Sequence, residues 1–268
     1  MLGSARSGET ALPVVEVPLL REFGALVAPK LSPPSDVASE YAAALDAAGI
    51  DPATPRFVVQ VDRSPNVQVL LLWWGKHREW RLVGAAPVST GLPGRFDHFK
   101  TPLGVFEHSV RNPDFRAEGT KNSLGIRGYG KKGIRIYDFG WVMAEKGWGD
   151  HGQMLMRLQM HATDPDRLEQ RLGTAQSKGC IRIPASLNTF FDRFGVLDED
   201  YELELASGKR MWVLPNDRTP SPWSGRYLVV MDSLAASRPL WASLESYAGV
   251  RLERAGPTSE STVADPVC

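Results

Sequence analysis

The sequence predicts a mainly β fold with a few short helices. The 268-residue chain contains 25 glycines and 20 prolines, which favours many turns over long helices. From residue 56 onward, short runs rich in β-branched and aromatic residues alternate with turn signals, as is typical of strands. Hydrophobic residues make up 43% and charged residues 23%, which is the composition of a folded protein rather than a disordered one.

Residues 1–54 are predicted to form an N-terminal extension with one short helix. Ser35 or Asp36 suits the N-cap, and Gly49 suits the position just after the C-cap. The residues expected on the apolar face of this helix are Val37, Tyr41, Ala44, Leu45 and Ala48. We find no motif in this extension that indicates chemistry.

A meander of three antiparallel strands is predicted next. The strands are expected over residues 57–62, 67–74 and 79–90, and short turn signals separate them. Residues 101–106 predict a turn that enters a further strand.

Residues 111–133 predict a long connection rich in Gly, Lys and Arg. It is too long for an ordinary hairpin loop, which indicates either a functional loop or a solvated charged one. Residues 111–135 hold two acids, Asp114 and Glu118, against seven basic residues: Arg111, Arg116, Lys121, Arg127, Lys131, Lys132 and Arg135.

The remainder of the chain is predicted to alternate between strands and one further helix. A strand over residues 154–160 leads into His161, and a helix begins near Pro184 and ends at Gly195. Further strands are expected over residues 201–205, 211–214 and 227–230. Residues 208–268 are predicted to be a C-terminal appendage, with a polar, disordered tail from about residue 251.

Composition also excludes several classes of protein. The 31 Lys and Arg residues balance 31 Asp and Glu residues, which argues against a nucleic-acid-binding protein. No apolar run is long enough for a transmembrane helix, and the two cysteines and five histidines show no metal-ligand spacing. We therefore expect no metal, and we expect no cofactor because a thiolate and backbone dipoles would supply the chemistry of the candidate residues described next. The first twenty residues lack a secretory signal pattern, which fits a cytoplasmic protein or a chain without its leader.

Cys180 and His161 are the candidate catalytic residues. Cys180 follows Gly179, which would let a substrate carbonyl come close to the backbone, and Lys178 and Arg182 would favour its thiolate form. A buried, inert cysteine is the alternative. A catalytic His161 would have to lie within hydrogen-bonding distance of the thiol, with an acceptor on its other ring nitrogen.

These residues resemble the signature of the YkuD family, the L,D-transpeptidase catalytic domains. His161 is followed by a gap of fifteen residues and then by Ser-Lys-Gly-Cys-Ile-Arg at 177–182. The family pattern is a His, a similar gap, Ser or Thr, His, Gly, Cys, an apolar residue, and Asn or Arg. Residues 88–91, 101–106 and 172–173 also resemble recurrent family elements. We assign residues 55–207 to this catalytic domain.

The resemblance implies a fold and a reaction. The fold would be a YkuD-like β-sandwich or barrel with the cysteine at the mouth of a cleft. The enzyme would attack a peptidoglycan stem tetrapeptide, expel the terminal D-Ala, and pass the acyl group to the amine of another stem. Such 3–3 crosslinks belong to cell-wall biogenesis and cell shape, and the implied location is periplasmic or cell-wall associated. A monomer is expected.

The resemblance also implies a role for each motif position. Cys180 matches the nucleophile and His161 the general base, and the oxyanion hole would use backbone N–H groups around Lys178, Gly179 and Cys180. Ser177 and Arg182 match positions that support the site or contact substrate. The 111–135 segment lies where such enzymes carry a lid, and Lys131, Lys132 and Arg135 would suit a substrate with several carboxylates.

Two positions depart from the family pattern. Lys178 replaces the usual His, which keeps a backbone N–H and adds a cation that would lower the pKa of the thiol if it points inward. Ala162 replaces the usual Gly or Ser, so a backbone carbonyl is the expected partner of the His161 ring.

Other functions remain open at this stage. Water as the acyl acceptor would give an L,D-carboxypeptidase or endopeptidase. Loss of activity would give a catalytically silent cell-wall-binding module. A sortase-like enzyme also pairs Cys with His and Arg. However, the run Thr-Leu-x-Thr that typically precedes its cysteine is absent here, where Ser-Lys-Gly precedes Cys180. The loop residue His151 is expected at the surface.

Overall fold

The computed structural model describes residues 17–243, and two β-sheets dominate it. Five strands form the first sheet in the order β3-β2-β1-β9-β4. Their bounds are β1 Arg56–Asp62, β2 Val69–Lys76, β3 Glu79–Pro87, β4 Gly104–Glu107 and β9 Tyr227–Met231. The β1–β2 and β2–β3 pairs are antiparallel, so the predicted meander is confirmed.

The second sheet has four strands in the order β5-β6-β7-β8. Their bounds are β5 Phe115–Arg116, β6 Arg135–Glu145, β7 Gln153–Ala162 and β8 Ile181–Ile183. Strands β6 and β7 form an antiparallel hairpin with a bulge between Asp138 and Trp141. Strand β8 pairs with β7 in parallel, and this pairing places residues 181–183 of the Cys180 motif beside His161.

One apolar core joins the two sheets. Val59 and Leu70 of the first sheet belong to the same buried cluster as Leu158 and Met160 of the second. Burying a side chain of this size stabilises the fold by roughly 1.5–3 kcal/mol. The prediction of a mainly β, sandwich-like fold is therefore confirmed.

The described residues contain four α-helices: α1 Leu20–Leu26, α2 Ser35–Ala47, α3 Ala185–Phe194 and α4 Glu199–Ala206. Helix α2 lies where it was predicted, and Gly49 follows it with φ +77°, but its N-cap is Pro34 and not Ser35 or Asp36, which already lie inside the helix. Tyr41 and Leu45 pack in a second core cluster with Val58 and Leu71 of the first sheet. Helix α3 is also as predicted, and Gly195 caps it with φ +60°. The sequence did not indicate α1, which packs against β3 and α3.

Two predicted strands are wrong. Residues 201–205 lie in helix α4, where Tyr201 is buried and Leu205 packs against the same small cluster. Their i, i+4 spacing and the acidic first turn favour a helix over the alternating pattern that suggested a strand. Residues 211–214 form turns, although Val213 and Leu214 are buried against α4.

The C-terminal segment enters the first sheet. Strand β9 confirms the prediction over residues 227–230 and lies between β1, to which it is parallel, and β4. The domain boundaries at 54 and 207 remain predictions. The tail from residue 251, with Cys268, lies outside the described residues. Between residues 17 and 243, no helix is long and apolar enough to cross a membrane.

Candidate active site

The register of β7 and β8 brings the two parts of the motif together. Met160 pairs with Ile181, and His161 pairs with Arg182. Because side chains alternate along a strand, His161 and Arg182 share the face opposite the core residues Met160 and Ile181. Cys180 lies immediately before β8, is fully buried, and donates its thiol proton to the Arg157 carbonyl with Sγ and O 3.6 Å apart.

The turn that presents Cys180 requires glycine. Gly179 has φ +131°, and a Cβ added there would lie 2.9 Å from Met156 Cε and 3.1 Å from Phe99 Cβ. The Ser177 hydroxyl donates to the Cys180 carbonyl at 2.5 Å and accepts from the Gly179 N–H at 3.1 Å. Ser177 thus closes the turn, and it occupies the Gly179 N–H that the sequence assigned to an oxyanion hole.

His161 is held in one tautomer by the backbone. Its Nδ1 lies 2.6 Å from the Ala162 carbonyl oxygen, which can only accept, so Nδ1 carries the proton. The sequence analysis expected a backbone carbonyl as the partner of the His161 ring, because Ala162 replaces the usual Gly or Ser. The Nε2 atom is buried and has no hydrogen-bond partner among residues 17–243.

Burial and the nearby Arg182 charge lower the pKa of His161 to about 3. The ring is therefore neutral at physiological pH, with the Nε2 lone pair available to accept a proton. Nε2 and the Cys180 thiol are not hydrogen-bonded to each other in this part of the chain, because the thiol donates to Arg157 instead.

The 111–133 connection covers His161. The Tyr129 ring meets the His161 ring edge-on, with centroids 4.7 Å apart, and its hydroxyl donates to Gln159 Oε1 at 2.9 Å. The Gln159 amide in turn donates to Asp138 Oδ2 at 2.9 Å. The sequence analysis missed Tyr129, Gln159 and Asp138, although Gln159 lies two residues before His161 on the same strand face.

Several basic residues of the 111–135 segment have structural roles. Arg135 is fully buried and ion-paired with Asp114 and Asp198, so the expectation that it meets substrate carboxylates is wrong. Lys131 and Lys132 line a separate pocket against α3. Arg127 anchors the connection by pairing with Asp166 at 3.0 Å.

A pocket of about 200 Å³ lies beside the motif. Its lining includes Lys178 and Arg182 on either side of Cys180, Thr163 two residues after His161, and Asn122 and Ile126 of the connection. Cys180 and His161 do not line this pocket, and both are fully buried.

The sequence analysis expected the Lys178 charge to act on the Cys180 thiol, but the Lys178 side chain forms an ion pair. Its Nζ lies 2.9 Å from Asp97 Oδ2, so its charge is balanced by a carboxylate and does not act on the thiol alone. His151 is exposed and lies in the β6–β7 loop, as expected. In the described part of the chain, no three His, Cys, Asp or Glu side chains are grouped to hold a metal ion.

Comparison with known proteins gives one family match. The model of the YkuD family, described as the L,D-transpeptidase catalytic domain, matches residues 56–200, more than half of the chain. No curated protein matches the sequence.

Three solved structures are similar over part of their length. Bd1075 from Bdellovibrio bacteriovorus shares 17% identity at TM-score 0.34, covering 67% of this chain and 49% of that one. A fused Zn-dependent amidase/peptidase/peptidoglycan-binding domain-containing protein from Clostridium acetobutylicum shares 13% identity at TM-score 0.30, covering 75% and 64%. The helical cell shape determining protein Pgp2 from Campylobacter jejuni shares 14% identity at TM-score 0.31, covering 75% and 58%. The chain thus spans less than two thirds of each.

Proposed function

The chain belongs to the YkuD family of L,D-transpeptidase catalytic domains, and on that basis we propose that it is an L,D-transpeptidase acting on peptidoglycan stem peptides through an acyl-enzyme on Cys180. The observation that carries the proposal is the geometry of His161. Its Nδ1 is fixed on the Ala162 carbonyl, and its unbonded Nε2 lies on the strand next to the one that Cys180 precedes.

The first half-reaction transfers an acyl group to sulfur. The connection opens, the thiol turns from the Arg157 carbonyl toward His161, and Nε2 accepts its proton. The thiolate then attacks the carbonyl of the third stem residue, forming a C–S bond and a tetrahedral intermediate. Collapse of this intermediate breaks the C–N bond, and the leaving D-Ala amine takes the proton from His161.

Backbone N–H groups around Lys178, Gly179 and Cys180 stabilise the oxyanion. For Gly179 this requires Ser177 Oγ to release the Gly179 N–H as the substrate oxygen arrives. Ser177 keeps its other bond, to the Cys180 carbonyl, and so holds the turn in shape.

The second half-reaction releases the enzyme. An amine from a neighbouring stem loses a proton to His161 and attacks the thioester, which forms the new amide and restores the thiol. Water in place of the amine would make the enzyme a carboxypeptidase or endopeptidase, and acylation is common to both. An enzyme with this substrate acts in the periplasm or at the cell wall, and we expect it to act as a monomer.

Product analysis tests the proposal. The wild type and the variants Cys180→Ala and His161→Ala are incubated with a disaccharide-tetrapeptide, and released D-Ala and dimeric product are quantified. We expect both products from the wild type, none from Cys180→Ala, and a rate lower by about 10²–10⁴-fold in His161→Ala. D-Ala without dimer would assign the hydrolase instead, and equal products from wild type and Cys180→Ala would refute the proposal.

A further inference from the structure

The pocket beside Cys180 carries positive charge from three separate parts of the chain. Arg95 comes from the loop after β3, Arg171 from the short 3-10 helix Glu169–Arg171, and Arg182 from β8. No Asp or Glu is among the residues that line this pocket. Arg182 is only 6% exposed, whereas Arg95 and Arg171 are exposed, and we call these two the rim arginines.

The two rim arginines are not used to hold the fold together. Within residues 17–243, the Arg95 and Arg171 guanidinium groups form no ion pair or hydrogen bond, unlike Lys178 of the same pocket, which pairs with Asp97. Like charges gathered around a concave surface repel one another and focus a positive potential into it. An anion bound there would relieve this repulsion, and a guanidinium group suits a carboxylate in particular, because it can donate two parallel hydrogen bonds.

We propose that the pocket formed by Arg95, Arg171 and Arg182 is a subsite for a carboxylate of the peptide substrate. The proposal rests on the proposed function and adds to it the residues that recognise the substrate. A carboxylate held there lies close to the turn that presents Cys180, because the pocket wall includes Lys178 and Arg182, two residues before and after Cys180.

Binding in this pocket also changes the strength of the base. Burial and the Arg182 charge together keep the pKa of His161 low. The Tyr129 side chain and the Ala162 carbonyl also contact the ring, and neither of them carries a charge. A bound carboxylate offsets part of the Arg182 field, so His161 becomes a stronger base when the substrate is in place.

Alkylation of Cys180 tests the pocket without any peptidoglycan substrate. Iodoacetamide is neutral and iodoacetate carries a carboxylate, and both alkylate the same thiol by displacing iodide. Both need the same opening of the site, so the ratio of their rate constants reports the charge of the pocket. All proteins carry Cys268→Ser, which leaves Cys180 as the only thiol.

The variants are the Arg95→Gln/Arg171→Gln double substitution and the control Arg167→Gln. Both rim arginines are exposed, so their replacement spares the fold. Arg167 is an exposed residue in the turn before the 3-10 helix that contains Arg171, and it does not line the pocket. We expect the iodoacetate-to-iodoacetamide ratio to fall about tenfold in the double variant and to stay unchanged in the control. Equal ratios in all three proteins would overturn the proposal.

Peptide analogues then identify which carboxylate is bound. One tetrapeptide carries an amide in place of its C-terminal carboxylate. Another is built with a third residue whose side chain ends in a carboxylate, and it carries an amide in place of that carboxylate. We expect one of the two amides to raise KM for the wild type by about tenfold and to leave KM of the double variant unchanged. If neither amide changes KM, the subsite does not serve this substrate and the proposal fails. If no peptide acylates Cys180, the proposed function fails, whereas the alkylation ratio still decides whether the pocket selects anions.

Discussion

At the scale of single residues, Gly179 determines how Cys180 is presented. Its φ of +131° disfavours any other residue, and a Cβ would also press on Met156 and Phe99. Gly94 provides a matched control, because it has φ +97° but open space around its Cα.

We expect Gly179→Ala to lower the free energy of unfolding by about 3 kcal/mol or more, and Gly94→Ala by only about 1–2 kcal/mol. Urea denaturation of both variants measures the difference. Equal losses would show that the packing against Met156 and Phe99 does not constrain the turn.

His161 should remain neutral over the whole physiological range. Burial and Arg182 lower its pKa to about 3, and the Ala162 carbonyl fixes the proton on Nδ1. We expect ¹⁵N NMR of the free protein to show an unchanged, Nδ1-protonated His161 ring from pH 5 to pH 8, with His161→Gln identifying the signal. A transition near pH 6.5 would contradict the buried environment described for this ring.

At the residue scale, the sequence predicted the reactive groups better than their surroundings. Cys180 and His161 belong to a motif whose order and spacing are visible along the chain. Arg95, Arg171 and Tyr129 belong to no such motif and reach the site only because the fold brings three distant segments together. The bond between Ser177 Oγ and the Gly179 N–H is likewise a matter of turn geometry, which residue identity alone does not determine.

At the scale of elements, a buried ionic network holds both ends of the 111–133 connection. His108 follows β4, Asp114 precedes β5, and Arg135 begins β6. His108 Nε2 lies 2.8 Å from Asp114 Oδ1, and Nδ1 lies 2.8 Å from the Leu197 carbonyl oxygen. Both acceptors require a donated proton, so His108 is the imidazolium cation in the folded protein.

This network predicts the pH dependence of stability. Burial alone would lower the pKa of His108, but the charge and hydrogen bond of Asp114 outweigh it, and the pKa is raised above 6.5. The stabilising contribution is therefore complete below pH 6.5, the value for the unfolded chain, and is lost as the pH rises through the folded-state pKa.

We expect the free energy of unfolding of the wild type to fall as the pH rises above 6.5, and His108→Gln to lose this part of the slope. Denaturant unfolding at a series of pH values measures the slope of the unfolding free energy with pH. The exposed His151 supplies the control, since His151→Gln should keep the slope of the wild type. A slope that is the same in His108→Gln would show that His108 is not the titrating group.

The elements differ in how well the sequence pattern identified them. The meander and α3 were predicted because long apolar runs and a C-terminal glycine mark them. Strand β6 was missed because a bulge and Gly140 interrupt its alternation, and because the charged residues Arg135 and Asp138 are buried in it. Helix α4 was mistaken for a strand because alternate residues of 201–205 are apolar, which resembles the period of a strand.

At the scale of the whole molecule, the C-terminal segment is part of the first sheet. Leu228 is fully buried and pairs with Val59 of β1 on one side and Phe106 of β4 on the other. The sequence indicated a strand here but not its neighbours, because parallel pairing between residues so far apart leaves no local signal.

We expect Leu228→Ala to lower the free energy of unfolding by about 2–5 kcal/mol. Leu240, which is 91% exposed, is the matched control. Leu240→Ala should change the free energy of unfolding by less than about 0.5 kcal/mol. Thermal and urea unfolding measure both. A small effect of Leu228→Ala would mean that the core does not depend on β9.

The acyl-enzyme on Cys180 tests the central claim most directly. Cys268→Ser protein is mixed with a disaccharide-tetrapeptide, quenched in acid at short times, and examined by intact-mass spectrometry and peptide mapping. The account predicts an added mass equal to the disaccharide-tripeptide acyl group, located on Cys180 and absent from Cys180→Ala. The same adduct in Cys180→Ala, or product formation by the Cys180→Ala protein at the wild-type rate, would contradict it.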